Sequence, residues 1–200
     1  MTTLLHSTIA KSDSASVLRE VRNEDCNLAI WERASIAGIE GLFLGSPDDV
    51  RFTASLNDLP DQLRKQLNMS GFTATSARDR LIADTVQLAA MYCSILATDA
   101  LEIRLETVTT NACRKWHSDY VTARVITTYV GSGTDWLDAE DAARIEHGLG
   151  PTNINSLQPG DVGIFKGRLA TNAPAIHRSP PIDGTGEKRL LLVLNPSAEV

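Results

Sequence analysis

The sequence lacks the short motifs that identify several large enzyme classes. It has no glycine-rich phosphate loop followed by Lys and Ser or Thr, no Gly-x-Ser-x-Gly elbow and no Cys-x-x-Cys pair. These absences argue against nucleotide hydrolysis, serine hydrolase chemistry and a zinc ribbon. Cysteine is also scarce, since Cys26, Cys93 and Cys113 are odd in number and far apart, so no disulfide framework is expected.

Long apolar segments and an excess of basic residues are missing too. The apolar runs, such as residues 190–194, are far too short to cross a membrane, and the N-terminus has no signal-peptide apolar region. The formal net charge of −6 argues against a broad nucleic-acid-binding surface. We therefore expect a cytoplasmic protein without nucleic-acid or membrane partners, acting on a small molecule or a protein; its oligomeric state stays open.

The hydrophobic pattern predicts one domain with a helix-rich front half and a strand-rich back half. We expect a polar tail over 1–16, mainly helical support over 17–100 and a β core over 101–200. The clearest helix begins at Ser76 and continues a stripe of apolar residues at helical spacing, namely Leu81, Ile82, Val86, Ala89, Tyr92, Cys93 and Leu96. This order of elements indicates an α+β fold with a β-barrel or sandwich behind the helices.

Alternation and β-branched residues mark the predicted strands. Short strands are expected at 26–31 and 51–55, with a helix from Asp58 to about Leu67. The back-half strands are predicted at 101–110, 120–130, 162–165 and 188–194, with a short inserted helix after Asp138. The last strand is apolar on both faces, so we expect it to be central in its sheet.

The triplet His117-Ser118-Asp119 is the main candidate for chemistry. On a strand, residues two apart point to the same face, so the imidazole and the carboxylate would converge. With 4 His and 25 acidic residues in 200, about half of one His-x-acid match is expected by chance, so the surrounding sequence has to support it. His177 follows after a Pro-Gly-Asp turn and an apolar strand, and Arg189 opens the last strand. A metal bound by two imidazoles and one carboxylate keeps further coordination positions open for other ligands.

This order of parts resembles the iron- and 2-oxoglutarate-dependent oxygenases. Their double-stranded β-helix, a jelly-roll or cupin-like barrel, carries His-x-Asp, a distal His and then a basic residue on the final strand. Residues 128–134 (TYVGSGT) also look like the strand and turn that follow the first two ligands in prolyl-hydroxylase-like members. The resemblance covers about residues 76–195 and implies this barrel, with N-terminal helices supporting it.

A closer resemblance spans nearly the whole chain. The segments NLAIWER, CRKWHSDYVTARVITTYVGSGTDWL, GDVGIFKG and HRSPP are similar to a bacterial family known only as a domain of unknown function. The string of motifs is long, so this resemblance is specific. It brings no established reaction with it.

Carried over to this sequence, the oxygenase resemblance implies His117, Asp119 and His177 as metal ligands. Arg189 would then bind the distal carboxylate of 2-oxoglutarate through a bidentate, charge-assisted pair. The other cofactor-binding candidates are Arg178, Lys188 and Tyr129, and Trp116 and Trp136 are candidates for pocket walls or for the core. Arg124 has the opposite strand parity to His117, so we expect it to point away from the metal unless a bulge intervenes.

Three functions stay open at this point. The first is an Fe(II)/2-oxoglutarate-type dioxygenase of unknown substrate. The second is a non-catalytic metal-homeostasis protein on the same fold that binds Zn(II), with Cys113 either as an additional ligand or, as we prefer, as a small core residue. The third is a cupin-like isomerase or dioxygenase without an oxo-acid co-substrate. An Arg189 directed inward favours the first function, whereas an outward Arg189 with Cys113 near the metal favours zinc.

Overall fold

Two β-sheets form the centre of the computed structural model, which describes residues 8–197 apart from the side chains of residues 43 and 44. The large sheet contains seven strands: β1 (Thr8–Ser12), β2 (Cys26–Trp31), β3 (Val50–Ser55), β4 (Ala100–Val108), β5 (Ala123–Val130), β8 (Val162–Lys166) and β10 (Arg189–Pro196). Their order is β1-β2-β8-β5-β10-β4-β3, with β1 and β2 parallel and the other neighbours antiparallel. The small antiparallel sheet has the order β7-β6-β9, from β6 (Asp135–Trp136), β7 (Asn155–Ser156) and β9 (His177–Arg178).

Three α-helices are described, α1 (Leu59–Met69), α2 (Ser76–Leu96) and α3 (Ala139–Glu146), together with 3-10 helices at Ala15–Arg22 and Ile39–Gly45. Helix α2 begins where the sequence predicted, and the hydroxyl of Thr75 caps it by accepting a hydrogen bond from the backbone N–H of Arg78. Asp138 caps α3 in the same way. The described residues contain no helix both long and apolar enough to span a bilayer.

The main core lies between α2 and one face of the large sheet. Strand β4 alternates as predicted, and its apolar residues Leu101, Ile103 and Leu105 point into this core. They meet the buried stripe of α2, which includes Leu81, Leu88 and Tyr92. Strand β10 is central, as predicted, because β5 and β4 pair with its two edges. The predicted α+β class is confirmed.

A second apolar cluster covers the opposite face of the large sheet. It joins Ile126, Phe165, Leu191 and Val193 of the large sheet to Trp136 of the small one. The small sheet is therefore packed over the face that α2 leaves free. The polar side of β4, with Glu102, Arg104 and Glu106, belongs to this second face.

Two predicted boundaries differ from the structure. Residues 8–12, expected in a polar tail, form strand β1, which pairs with β2. Ala10 packs against the main core and Ile9 against the second apolar cluster, so the strand contributes to both faces of the sheet. Residues 1–7 of that tail, including His6, lie outside the described residues. The strand predicted at 120–130 begins only at Ala123. Strands β2 and β3 of the front half belong to the same sheet as the back-half strands.

A buried ion pair connects α2 to the loop after β2, and a hydrogen bond from β5 joins it. The guanidinium of Arg33, in the loop after β2, donates to both carboxylate oxygens of Asp84 in α2. The hydroxyl of Tyr129 donates to Asp84 Oδ2 at 2.7 Å, and Arg33 Nε donates to the carbonyl of Gly160 at 2.7 Å. Burial, and after it the charge of Asp84, raise the pKa of Tyr129, so its hydroxyl keeps the proton that it donates.

Asp84→Asn is expected to lower the free energy of unfolding by about 3–5 kcal/mol, because it leaves the buried Arg33 guanidinium without its counter-charge. Urea denaturation would measure the loss. The control is Asp61→Asn, which removes the partner of Arg64 in an exposed pair and should change nothing measurable. A loss no larger than that of the control would show that the buried pair contributes little.

Candidate metal centre

A backbone bridge brings His117 and His177 together from distant parts of the chain. The N–H of His117 donates to the carbonyl of His177 at 3.0 Å, and the N–H of His177 donates back at 2.9 Å. His117 is not part of a regular strand; this isolated bridge extends the small sheet by one residue beside β9. The two imidazole rings lie side by side as a result, with centroids 4.6 Å apart.

Asp119 reaches the same place from a bend, residues 118–122, between His117 and β5. Backbone hydrogen bonds from the residues that follow β8 fix this bend. The N–H of Arg168 donates to the carbonyl of Asp119 at 2.9 Å, and the N–H of Leu169 donates to the carbonyl of Val121 at 3.1 Å. Gly167 makes this approach possible, because a Cβ at this position would collide with the carbonyls of Asp119 and Val121. The glycine that ends the sequence motif GDVGIFKG is therefore a packing requirement of the site.

The nitrogen or oxygen donors of His117, Asp119 and His177 all lie within 4.8 Å of one another. Asp119 Oδ2 is 3.3 Å from His177 Nε2, and Asp119 Oδ1 is 3.9 Å from His117 Nε2. The other ring nitrogen of each histidine lies against a backbone carbonyl, that of Lys115 at 2.8 Å and that of Ala175 at 3.2 Å. If Nδ1 carries the proton in both rings, both Nε2 lone pairs are free to bind a metal.

The three donors have the chemistry of a divalent-metal site. Asp119 Oδ2 is buried and has no hydrogen-bond partner among the residues described, which is costly for a carboxylate unless something binds it. Burial raises the pKa of the Asp119 carboxyl, but the nearby His177 and Arg124 lower it by more, so the net pKa is below its usual value. Burial lowers the pKa of His117 by more than the hydrogen bond to the Lys115 carbonyl raises it. An ionised carboxylate is the form in which Asp119 binds a metal, and metal binding would displace any proton from the two Nε2 atoms.

The three residues differ in their access to solvent. The side chain of His117 is 34% exposed, whereas those of Asp119 and His177 are 10% and 4% exposed. His117 lines both an outer groove of about 420 Å³ and an inner cavity of about 70 Å³. The outer groove is walled by Trp116, Ile145, Arg168, Pro174 and Ile176. The inner cavity lies against the second face of the large sheet and is lined by Arg104, Glu106, Arg124, Ile126, His177, Arg178, Leu191 and Val193, among others.

The basic side chains predicted to bind the carboxylate of a co-substrate differ in their surroundings. Arg189 is completely buried and donates to neutral acceptors, the carbonyl of Ser132 and the hydroxyls of Ser179 and Thr128. No carboxylate lies within 4.0 Å of it in the described part of the chain. Arg178 is paired with Asp135 and stacks on Trp116, and Lys188 is exposed to solvent.

Several predicted residues lie elsewhere. Tyr129, predicted as a cofactor-binding residue, has its ring on the side of the helix layer and its hydroxyl bonded to Asp84. Trp136 is buried in the second apolar cluster, whereas Trp116 walls the outer groove. The preferred prediction of Cys113 as a core residue is wrong, because it is exposed in a turn with a φ of 56°. It lies outside the His117, Asp119 and His177 group but lines the inner cavity with the two histidines. His147 is exposed at the end of α3.

Arg124 is the site residue that the sequence analysis missed. It was expected to point away from the metal, but its Nη1 donates to Asp119 Oδ1 at 2.6 Å. Residues 118–122 bend, so the alternation of side chains counted from His117 does not continue into β5. Parity within β5 would have found it, since Arg124 shares its face with Ile126.

Comparisons with known proteins agree with the sequence motifs. A family model described as protein of unknown function (DUF1826) matches residues 12–195. No curated protein matches the sequence. Among solved structures, the chain is similar to dioxygenase for auxin oxidation 1 from Arabidopsis thaliana in complex with 2-oxoglutarate, with a TM-score of 0.54, 9% identity and coverage of 94% of this chain and 91% of that one. The rice dioxygenase for auxin oxidation gives a TM-score of 0.52, 11% identity and coverage of 94% and 83%. Identities this low show a shared fold alone, and the predicted resemblance to 2-oxoglutarate oxygenases is confirmed at that level.

Gly167→Ala is expected to displace the bend at 118–122, because the added methyl group meets backbone atoms that cannot rotate away. The overpacking should cost about 1–3 kcal/mol of stability, and the amides of Arg168 and Leu169 should exchange with deuterium faster. Hydrogen–deuterium exchange would measure this. Gly150→Ala is the control, since a Cβ there has open space. Equal exchange at 167–169 in both variants would contradict the packing role of Gly167.

Proposed function

The chain belongs to the DUF1826 family of unknown function, and we propose that it is an Fe(II)/2-oxoglutarate-type oxygenase on a double-stranded β-helix. The observation that carries the proposal is the convergence of His117, Asp119 and His177, whose donor atoms lie within 4.8 Å of one another. Two imidazoles and one carboxylate form the facial triad of non-haem Fe(II) oxygenases, which keeps several metal positions open. The similarity to a dioxygenase solved with 2-oxoglutarate supports the same fold.

Arg189 is the best-placed residue for the distal carboxylate of 2-oxoglutarate. It is a fully buried cation whose hydrogen-bond partners are all neutral. Glu187, Asp135 and Glu106 act on it without forming an ion pair, so a carboxylate ligand would supply the direct counter-charge that it lacks. Its Nη1 bonds to Ser179 Oγ at 3.1 Å, two residues after the metal candidate His177. Arg178 and Lys188 are weaker candidates, because one already has a carboxylate partner and the other is exposed.

When bound, Fe(II) and 2-oxoglutarate would supply oxidation by dioxygen, in which 2-oxoglutarate becomes succinate and carbon dioxide and one oxygen atom enters the substrate as a hydroxyl group. The chain's own part is to bind and to orient. His117, Asp119 and His177 would hold the metal, Arg189 would fix one end of the co-substrate, and the second apolar cluster would limit the entry of water. The inner cavity has room for about two water molecules at about 30 Å³ each, so co-substrate binding requires its side chains to move.

The prime substrate, a small molecule or a protein segment, would approach through the outer groove. This groove reaches His117, the most exposed of the three candidate ligands. Its volume of about 420 Å³ is within the range of small-molecule sites.

Zinc binding without catalysis is the alternative function. The features that would favour it are an outward Arg189 and Cys113 near the metal. Arg189 is buried and so does not favour it. Cys113 lies outside the donor group but lines the inner cavity together with His117 and His177, so it is the one feature that keeps zinc as the alternative.

Anaerobic addition of Fe(II) and then 2-oxoglutarate should produce the weak visible charge-transfer band of the metal chelate. His177→Ala should abolish the band, because it removes one of three ligands. His147→Ala, which changes an exposed histidine outside the site, should leave the band intact. A wild-type protein that binds Fe(II) and gives no band with 2-oxoglutarate would contradict the oxygenase and favour a metal-binding protein without an oxo-acid co-substrate.

Arg189→Met is expected to weaken 2-oxoglutarate binding by at least about tenfold, since a charge-assisted hydrogen bond is worth about 1.5–3 kcal/mol. Metal affinity should change little, because Arg189 contacts none of the three ligands. Titration of the charge-transfer band against 2-oxoglutarate would measure the difference. Lys188→Met removes the neighbouring exposed cation as a control. An equal effect of both variants would show that Arg189 does not bind the co-substrate.

A further inference from the structure

Asp119 depends on one side chain for its orientation. It lies in the bend at 118–122, so no neighbouring strand residues fix its carboxylate. The hydrogen bond from Arg124 Nη1 to Asp119 Oδ1, at 2.6 Å, is the one side-chain hydrogen bond that its carboxylate accepts among the described residues. The side chains of Asp119 and Arg124 are 10% and 18% exposed, so solvent screens this ion pair weakly.

A row of polar residues across the large sheet holds Arg124 in turn. Arg124 Nε donates to Asn195 Oδ1 at 2.6 Å, and Asn195 Nδ2 donates to Glu102 Oε2 at 2.7 Å. Glu102 accepts a further bond from Arg51 Nε at 2.6 Å. Asn195 lies directly opposite Glu102 in the pairing of β10 with β4, and the register of β10 with β5 brings Arg124 next to it. The guanidinium is therefore fixed by the rigid sheet before it contacts Asp119.

The two oxygens of Asp119 are left with different roles. Oδ1 is occupied by Arg124, whereas Oδ2 is buried, has no hydrogen-bond partner in residues 8–197 and lies 3.3 Å from His177 Nε2. We infer that Arg124 is a positioning residue that makes Asp119 bind the metal through Oδ2 alone. This inference rests on the proposed function. A carboxylate held to one oxygen occupies one metal position and leaves another for the co-substrate.

The charge of Arg124 and its positioning of Asp119 have opposite effects on metal affinity. A guanidinium next to the carboxylate repels a divalent cation, so its removal would tighten metal binding if charge were its main effect. If positioning is its main effect, removal weakens binding, since residues that orient metal ligands typically contribute about 10–100-fold in affinity. The direction of the change therefore separates the two roles.

The test measures Co(II) affinity by competition with a chelator, together with the visible absorption of the Co(II) protein. Arg124→Met should weaken Co(II) binding by about 10–100-fold and should alter the absorption bands, because the freed Oδ1 changes the coordination number. Arg124→Lys, which keeps the charge and can donate to one oxygen, should restore most of both. The control is Arg104→Met: Arg104 pairs with Glu106, is 26% exposed and contacts none of the candidate ligands. Its Co(II) affinity and spectrum should match those of the unmodified protein.

Tighter or unchanged Co(II) binding with an unchanged spectrum in Arg124→Met would overturn this inference and leave the proposed function standing. An equal loss in Arg104→Met would do the same, since it would show that the loss does not depend on the contact with Asp119. If Arg124→Met does not fold by circular dichroism, Arg124→Gln takes its place and is judged by the same two measurements. An unmodified protein that does not bind Co(II) at all would overturn the proposed function as well.

Discussion

The pair of backbone hydrogen bonds between His117 and His177 is the constraint on which the candidate site depends. It joins residues that are sixty positions apart, at 3.0 and 2.9 Å, without a regular strand on the His117 side. Each imidazole then turns back so that one ring nitrogen meets a carbonyl two residues earlier, which leaves the other free. Backbone bonds between neutral groups do not titrate near neutral pH, so this arrangement does not depend on the protonation state of the histidines. The bend that carries Asp119 is fastened separately, to residues 167–169.

The general architecture could be predicted from the sequence because its signals are local. The alternation of residues 101–108, the apolar run of β10 and the stripe of α2 each follow from the period of one element, and all three were found in the structure. The identity of the three candidate ligands came from the order of motifs. The reasoning for His117 and Asp119 was nevertheless wrong in detail, since it assumed one strand. Their convergence depends on contacts with residues 177 and 167–169, which a local pattern cannot reveal.

Strand β5 shows where parity arguments fail. Arg124, expected to point away, contacts Asp119, whereas Tyr129, expected near the cofactor, lies on the helix side. The bend before Ala123 interrupts the alternation of side chains, so the face of a residue in β5 cannot be counted from His117. Tyr129 was expected near the cofactor from the family resemblance rather than from parity, and within β5 it shares the parity of Ala123 and Val125, which face the same core. The motif residue Tyr129 is thus explained by the buried pair of Arg33 and Asp84.

The balance of charges around the inner cavity determines what kind of ligand can enter it. Arg104 is neutralised by Glu106 and Arg178 by Asp135. Asp119 and Arg124 then remain to be counted, together with the buried Arg189 and the nearby carboxylate of Glu187. If the site holds a divalent metal as proposed, the metal adds two positive charges to those of the two arginines, against the two negative charges of Asp119 and Glu187. Two excess positive charges would then lie in a poorly solvated place, and a buried charge is tolerated only when it is paired. A dianion between the metal and Arg189 would offset this excess, whereas a neutral ligand would not. On the proposed function, the pairing of Arg124 with Asp119 would therefore do more than orient a carboxylate: by cancelling the one acidic ligand, it would favour a doubly charged co-substrate.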